Sequence, residues 1–293
     1  MQVIETIDGL RSARRALRGR VGVVPTMGAL HDGHLALVEQ ARQDNDAVIV
    51  TIFVNPTQFA PGEDFASYPR DLQRDVALLQ GAGADFVFTP TPALMYPPGF
   101  QTYVKVDQVT QGLEGDRRPG HFRGVATVVA KLFNLTQPDV AYFGQKDAQQ
   151  VVVLRRMVAD LNFPLEVAVI PTVRESDGLA MSSRNAYLTP EQRHAAGVIY
   201  RALVAAAQAY EEGERTPAHL RQVVKSVLKT EPLAEVEYVA LNDPTTLVGV
   251  HEASEHPLLL SLVVRVGKPF LLDNCLLPWA LNTRAGLSAT LGV

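Results

Sequence analysis

The chain has 293 residues, 47% of them hydrophobic and 20% charged, with a formal net charge of −4. That length predicts two domains, and that hydrophobic content excludes a disordered chain. Slight acidity without any Lys/Arg block argues against a nucleic-acid partner, and apolar runs no longer than strands argue against a membrane span. The opening Met1-Gln-Val-Ile-Glu-Thr-Ile-Asp8 lacks the basic and apolar regions of a signal peptide. Cys275 is the only cysteine, so no internal disulfide or thiolate metal cluster can form, and a reducing cytoplasm is expected. In Leu271-Leu-Asp-Asn-Cys-Leu-Leu277 it reads as a small buried apolar side chain.

Val21 to Val24 predicts a strand and Leu35 to Asn45 a helix. Between them lies Pro25-Thr-Met-Gly-Ala-Leu-His-Asp-Gly-His34, with two histidines three residues apart. The first amides of a helix lack intrahelical partners and carry the positive end of its dipole, so phosphate suits this position. Gly28 and Gly33 allow close backbone approach, and His31 and His34 add donors that can follow charge developing on phosphorus. The turn matches neither the P-loop nor the dinucleotide fingerprint.

Ala47 to Val54 is an almost unbroken apolar run, expected of a strand covered on both faces. It ends in Asn55-Pro-Thr-Gln58, whose Asn55 and Gln58 are neutral groups suited to hydroxyl, carboxylate or amine functions. Asp71 to Gln80 predicts a helix stopped by Gly81 and Gly83, and Asp85 to Phe88 a strand. Thr89 to Pro98 reads as a loop, and His121 falls in a basic, mobile-looking loop, Arg118 to Gly124. A helix over Val125 to Leu135 and a strand over Val140 to Phe143 follow. Gly144-Gln-Lys-Asp147 then supplies a glycine, a cation for phosphate, and an Asp able to cap a helix or hold a ribose hydroxyl. Gln150 lies one turn into the next helix, Ala148 to Leu161, which leads to a strand over Leu165 to Ile170. Met181-Ser-Ser-Arg-Asn185 offers hydroxyls, a guanidinium and amides as a flap over phosphates.

Strands alternating with helices predict an α/β fold with a parallel sheet, Rossmann-like and helix-covered on both faces, over residues 1–176. Ligands of such sheets bind beyond the carboxyl ends of the strands, where all four polar segments lie. Residues 177–293 change character. Helices over Pro190 to Glu212 and Thr216 to Lys229 precede strands near Val236 to Leu241, Leu258 to Val266 and Phe270 to Leu272, the last two joined as a hairpin. This predicts a smaller α+β domain and a candidate lid.

Five motifs in order resemble the pantothenate synthetase (pantoate–β-alanine ligase) family: Pro25 to His34, Ile52 to Phe59, Arg118 to Gly124, Phe143 to Asp147 and Asp177 to Asn185. The His-x-x-His turn alone suggests only the wider HIGH-motif adenylyl-transferring superfamily. Its Lys-Met-Ser-Lys-Ser loop looks replaced here by Met181-Ser-Ser-Arg184. The match loosens after about residue 195, and the stretch after Trp279 looks private to this chain.

The resemblance implies that pantoate carboxylate attacks the α-phosphorus of ATP, with Mg²⁺ assisting. Pantoyl adenylate forms, and β-alanine then displaces AMP. It implies that His34, His31 and Lys146 are catalytic, His34 at the position usually called the proton donor. Met27, Gly28, Ala29, Leu30, His31, Asp32, Gly33 and His34 would line the ATP site. Lys146, Ser182, Ser183 and Arg184 would hold the β- and γ-phosphates, Gly144 and Asp147 the ribose, and Val173 the adenine. Gln145 and Met181 complete that site. Gln58 and Gln150 would grip pantoate, Gln58 would border β-alanine, and Asn55 joins them as a substrate-site residue. Asp75 is a candidate for Mg²⁺ on position alone. A homodimer is implied, with no nucleic-acid or membrane partner.

Three alternatives compete. A nucleotidylyltransferase acting on a phosphorylated acceptor would share the opening turn but not need the neutral grip of Asn55, Gln58 and Gln150. A tRNA synthetase fragment conflicts with the charge of −4. A nucleotide sensor would bind ATP without turnover.

Overall fold

The apolar runs that read as covered strands lie at the centre of a sheet in the computed structural model, which describes residues 1–292. In chain order the elements are β1 (Gln2–Ile4), α1 (Ile7–Ala16), β2 (Val21–Thr26), α2 (Asp32–Asp44), β3 (Ala47–Ile52), α3 (Leu72–Gly81), β4 (Phe86–Phe88), α4 (Pro92–Met95), α5 (Leu113–Arg117), α6 (His121–Thr136), β5 (Val140–Gly144), α7 (Ala148–Asp160) and β6 (Glu166–Ile170). Then come α8 (Pro190–Ala196), α9 (Val198–Glu211), α10 (Pro217–Leu228), β7 (Ala234–Asn242), β8 (Leu258–Val266), β9 (Phe270–Leu277) and α11 (Arg284–Thr290). Among the described residues no helix is long and apolar enough to cross a membrane.

Six strands form a parallel sheet in the order β1-β4-β3-β2-β5-β6. The predicted α/β architecture is therefore present. β2 and β3 pair over six residues, from Val21↔Ala47 to Thr26↔Ile52, and are nearly completely buried. The order reverses at β2, which has β3 on one side and β5 on the other. The turn leaving β2 thus stands at a topological switch point, where ligands of such sheets bind.

Two compact units partition the chain: residues 1–143 with 153–168, and residues 144–152 with 169–293. In the second, β7, β8 and β9 form an antiparallel sheet. Leu258, Leu260, Leu262, Val264 and Val266 alternate onto one face and share a core with Ile199, Ala202, Leu203 and Ala206 of α9 and Leu220, Val224 and Leu228 of α10. The α+β reading of the C-terminal region holds.

Several elements depart from the sequence reading. β1 and α1 are elements that the sequence reading lacks; β1 has only three residues and acquires its partner from β4. Pro92–Met95 forms one short helix inside the expected loop. Pro190 to Glu212 is two helices broken at Gly197, the residue type that loses most backbone entropy when held in a helix. β9 runs on to Leu277, through the polar pair Asp273-Asn274 that ended the expected strand at Leu272.

Candidate active site

The turn after β2 is built on a buried carboxylate. Asp75, 1% exposed on α3, accepts the Ala29 amide on Oδ2 and the Leu30 amide on Oδ1, each at 2.8 Å. Arg74 Nη1 donates to the Leu30 carbonyl at 3.1 Å. Gly28 and Ala29 take left-handed conformations, with φ of 83° and 52°. A Cβ on Gly28 would lie 3.0 Å from both Asp75 Oδ2 and Ile52 Cγ2, so glycine is needed for the backbone to reach the carboxylate. Both oxygens of Asp75, read from the sequence as a candidate for Mg²⁺, thus hold the turn.

α2 begins at Asp32, three residues earlier than its apolar pattern suggested, so His31 is its N-cap and His34 lies in its first turn. The His31 backbone amide donates to His34 Nδ1 at 3.4 Å, and the two rings stand 4.1 Å apart. In the neutral ring, an accepting Nδ1 leaves the proton on Nε2, which makes His34 a donor at the helix mouth.

Asn55 and Gln58 form one buried unit. Asn55 Nδ2 donates to Gln58 Oε1 at 3.0 Å and to the Gly124 carbonyl at 3.2 Å. Its Oδ1 accepts Tyr96 Oη at 2.8 Å and Thr57 Oγ1 at 2.9 Å. Gln58 Nε2 in turn approaches Met27 Sδ at 3.3 Å, which links the Asn55–Gln58 turn to the residue that opens the histidine turn. The amide of Asn55 is thus occupied by protein groups.

His121 opens α6 and is buried, not on a mobile loop. Its Nδ1 lies 2.8 Å from the Gln58 carbonyl, which can only accept, so Nδ1 carries the proton. Nε2 faces Arg118 Nη1 at 3.2 Å, and Arg118 forks onto Glu63 at 2.6 and 2.8 Å. Burial pushes the Glu63 carboxyl up, but the Arg118 hydrogen bonds and charge outweigh it and hold Glu63 below its ordinary value. Sequence reasoning missed this chain of supports behind Gln58.

In the second unit, Gln145–Asp147 form a single 3-10 turn between β5 and α7. Gln145 is buried and its side chain is internal: Nε2 donates to Asn282 Oδ1 at 2.6 Å, and Oε1 accepts the Thr172 amide at 3.5 Å. Lys146 Nζ is 3.7 Å from Asp147 Oδ1. Asn274 Nδ2 donates to the carbonyls of Gln145 at 3.1 Å and Lys146 at 2.8 Å. Gln150, on the first turn of α7, is half-buried.

The segment holding Val173 and Met181 to Arg184 closes on itself. The Val173 carbonyl accepts the Met181 amide at 3.0 Å, and Arg174 bridges Ala180. Arg174 forks onto buried Asp273 at 2.6 and 3.1 Å and lies over the Tyr200 ring. Ser182 caps a 3-10 turn, Ser183–Tyr187, and Asn185 Nδ2 bonds Glu175 and the Ala180 carbonyl. Arg193 holds both Glu175 and Asp177. The Arg193 hydrogen bond holds the Asp177 carboxyl below its usual range.

The sequence model described as pantoate-beta-alanine ligase matches residues 2–276. A pantothenate synthetase from Chloroflexus aggregans is 60% identical over 277 residues, covering 94% of this chain and all of that protein. The Herpetosiphon aurantiacus pantothenate synthetase is 57% identical over 274 residues, 94% of this chain and 99% of its own. Among solved structures, the Thermus thermophilus pantothenate synthetase superposes with a TM-score of 0.90 at 50% identity, covering 94% of this chain and 98% of that one. The Francisella tularensis pantoate-beta-alanine ligase, complexed with beta-gamma ATP and beta-alanine, gives 0.77 at 34% identity over 94% and 97%.

Proposed function

Because this chain belongs to the pantoate-beta-alanine ligase family, and so condenses pantoate with β-alanine at the expense of ATP, we propose the residue roles by which it does so. ATP is the co-substrate, and the nucleotidylyltransferase alternative is not favoured. The supporting observation is the His31–His34 pair at the mouth of α2, on a turn fixed by Asp75.

In this reading the pantoate carboxylate attacks the α-phosphorus and pyrophosphate departs. The amine of β-alanine then attacks the activated carbonyl, releasing AMP and the amide product. Neither step needs a protein nucleophile; both need positioning and charge neutralisation. His34 Nε2–H donates to the oxygen that gains charge as the α-phosphorus is attacked, and His31 caps the helix beneath it. The residues Met27 to His34 line the nucleotide. Lys146 supplies a point cation to the β- and γ-phosphates, with Ser182, Ser183 and Arg184. Gly144, Gln145 and Asp147 serve the ribose side, and Val173 and Met181 the base side. Gln58 and Gln150 take pantoate, Gln58 through an Nε2 that, among the described residues, meets the weak thioether acceptor of Met27. Asn55 serves the same subsite as a positioning residue. Mg²⁺ supplies charge neutralisation to the departing phosphates.

Residues 1–176 act as the nucleotide and pantoate domain and 177–293 as the smaller one. The strands of the parallel sheet all precede that cut and those of the antiparallel sheet all follow it. A homodimer is part of the same proposal. Residues 101–107 lie outside any helix or sheet, with Tyr103 46% exposed, and would form part of the surface open to a second copy. A cytoplasmic location suits a single buried thiol and small soluble substrates.

Incubation with ATP, pantoate and β-alanine should release AMP only when both acids are present. His34→Ala should keep ATP binding and lose about 10²- to 10³-fold in pantoate-dependent pyrophosphate release, the loss typical of removing one transition-state donor. Near-normal turnover by that variant would remove His34 from its role.

A further inference from the structure

We propose that Asn274, on β9, is a positioning residue that sets Lys146 for the triphosphate of ATP. The inference rests on the reading of Lys146 as a phosphate cation.

β9 is otherwise apolar, and a polar pair in its middle is costly to bury without partners. Asp273 and Asn274 are each only 1% exposed. Adjacent strand residues face opposite ways, and the two side chains serve different segments. Asp273 takes the guanidinium of Arg174, which also donates to the Gly178 carbonyl at 3.1 Å. Asn274 spends both N–H groups on successive carbonyls, those of Gln145 and Lys146. Its Oδ1 is buried without a hydrogen-bond partner among the described residues.

That orphaned acceptor is informative. Most buried side-chain polar atoms find a partner, and leaving one bare costs free energy. An asparagine kept here despite that cost is kept for its donors. Two donors on consecutive carbonyls fix the two peptide planes that flank the Lys146 Cα. Asn282 fixes the preceding side chain, taking Gln145 Nε2 on the Oδ1 that also accepts the Leu276 amide at 2.8 Å. A flexible lysine stem gains catalytic value when its base is immobile, because a misplacement of about 1 Å can cost roughly 100-fold in rate.

Asn274→Ala removes both donors; Asn274→Asp keeps the shape but turns a carboxylate on two carbonyls; Asn274→Ser keeps one donor. Steady-state kinetics should show kcat/KM for ATP falling roughly 10- to 100-fold in the Ala and Asp variants. The KM values for pantoate and β-alanine should stay unchanged, and the Ser variant should fall between. In a double-mutant cycle, Lys146→Ala with Asn274→Ala should be no worse than Lys146→Ala alone. Wild-type ATP kinetics in Asn274→Ala, equal losses for all three substrates, or additive losses in the double variant would each overturn the proposal while leaving Lys146 in its role. If Lys146→Ala itself keeps normal ATP kinetics, the site reading fails first and the positioning role falls with it.

Discussion

Asp75 and Asn55 are buried polar side chains whose hydrogen-bonding groups are taken up by the protein, and they limit how far the reactive residues beside them can move. Removing Asp75 would leave the amides of Ala29 and Leu30 buried without their anionic acceptor. A hydrogen bond to a charged group contributes about 1.5–3 kcal/mol, so Asp75→Ala should cost about 3 kcal/mol or more in urea unfolding. Its kcat should fall as well, because the turn carrying His31 and His34 loses its floor. A variant with wild-type stability would show that the two bonds are dispensable. The side chains proposed to meet the substrates are found from sequence alone, since His34, Gln58 and Lys146 each stand just past an apolar run. Their supports are not. Asp75 lies 45 positions from Leu30 and Asn274 lies 128 from Lys146, and only the chain topology joins them. Asp75 therefore reads as a free carboxylate until the fold shows what it accepts.

At the scale of elements, α6 lies against the 3-10 turn Pro56–Gln58 with no room for a side chain at Gly124. A Cβ there would meet the Thr57 carbonyl oxygen at 2.3 Å, its carbon at 2.5 Å and the Gln58 nitrogen at 2.6 Å, all backbone atoms. Gly124→Ala must push the helix and the turn apart, and overpacking of this kind costs about 1–3 kcal/mol. The displaced turn carries Gln58, so KM for pantoate should rise more than KM for ATP; equal changes would argue against the assignment of Gln58. Long periodic elements are readable in advance because burial repeats along them, as in β3 or α10. What escapes is decided by partners or by single residues. β1 is a strand because β4 is beside it, α9 starts afresh because of Gly197, and β9 passes through Asp273-Asn274 because each finds a bond in the second unit.

At the scale of the molecule, each compact unit has a carboxylate held low by arginine: Glu63 by Arg118 in the first, Asp177 by Arg193 in the second. A carboxyl with a depressed folded-state pKa stabilises the fold above its unfolded value, and that contribution is lost as pH falls through the folded value. The ordinary values are 4.5 and 3.8, so the thermal midpoint should be level above those and decline as acid is added below them. Glu63→Gln should lower the neutral midpoint and flatten that decline; an unchanged acid profile would mean the pair contributes nothing. The supports of Lys146 have a further consequence in time. A ribosome makes Gln145 and Lys146 well before their supports: Asn274 and Asn282 come 128 and 137 positions after the carbonyl and side chain they secure. A nascent chain stalled between them has Lys146, the proposed phosphate cation, on unsecured peptides. On the proposed role of Lys146, full competence to consume ATP should arrive only once Asn274 and Asn282 have been made.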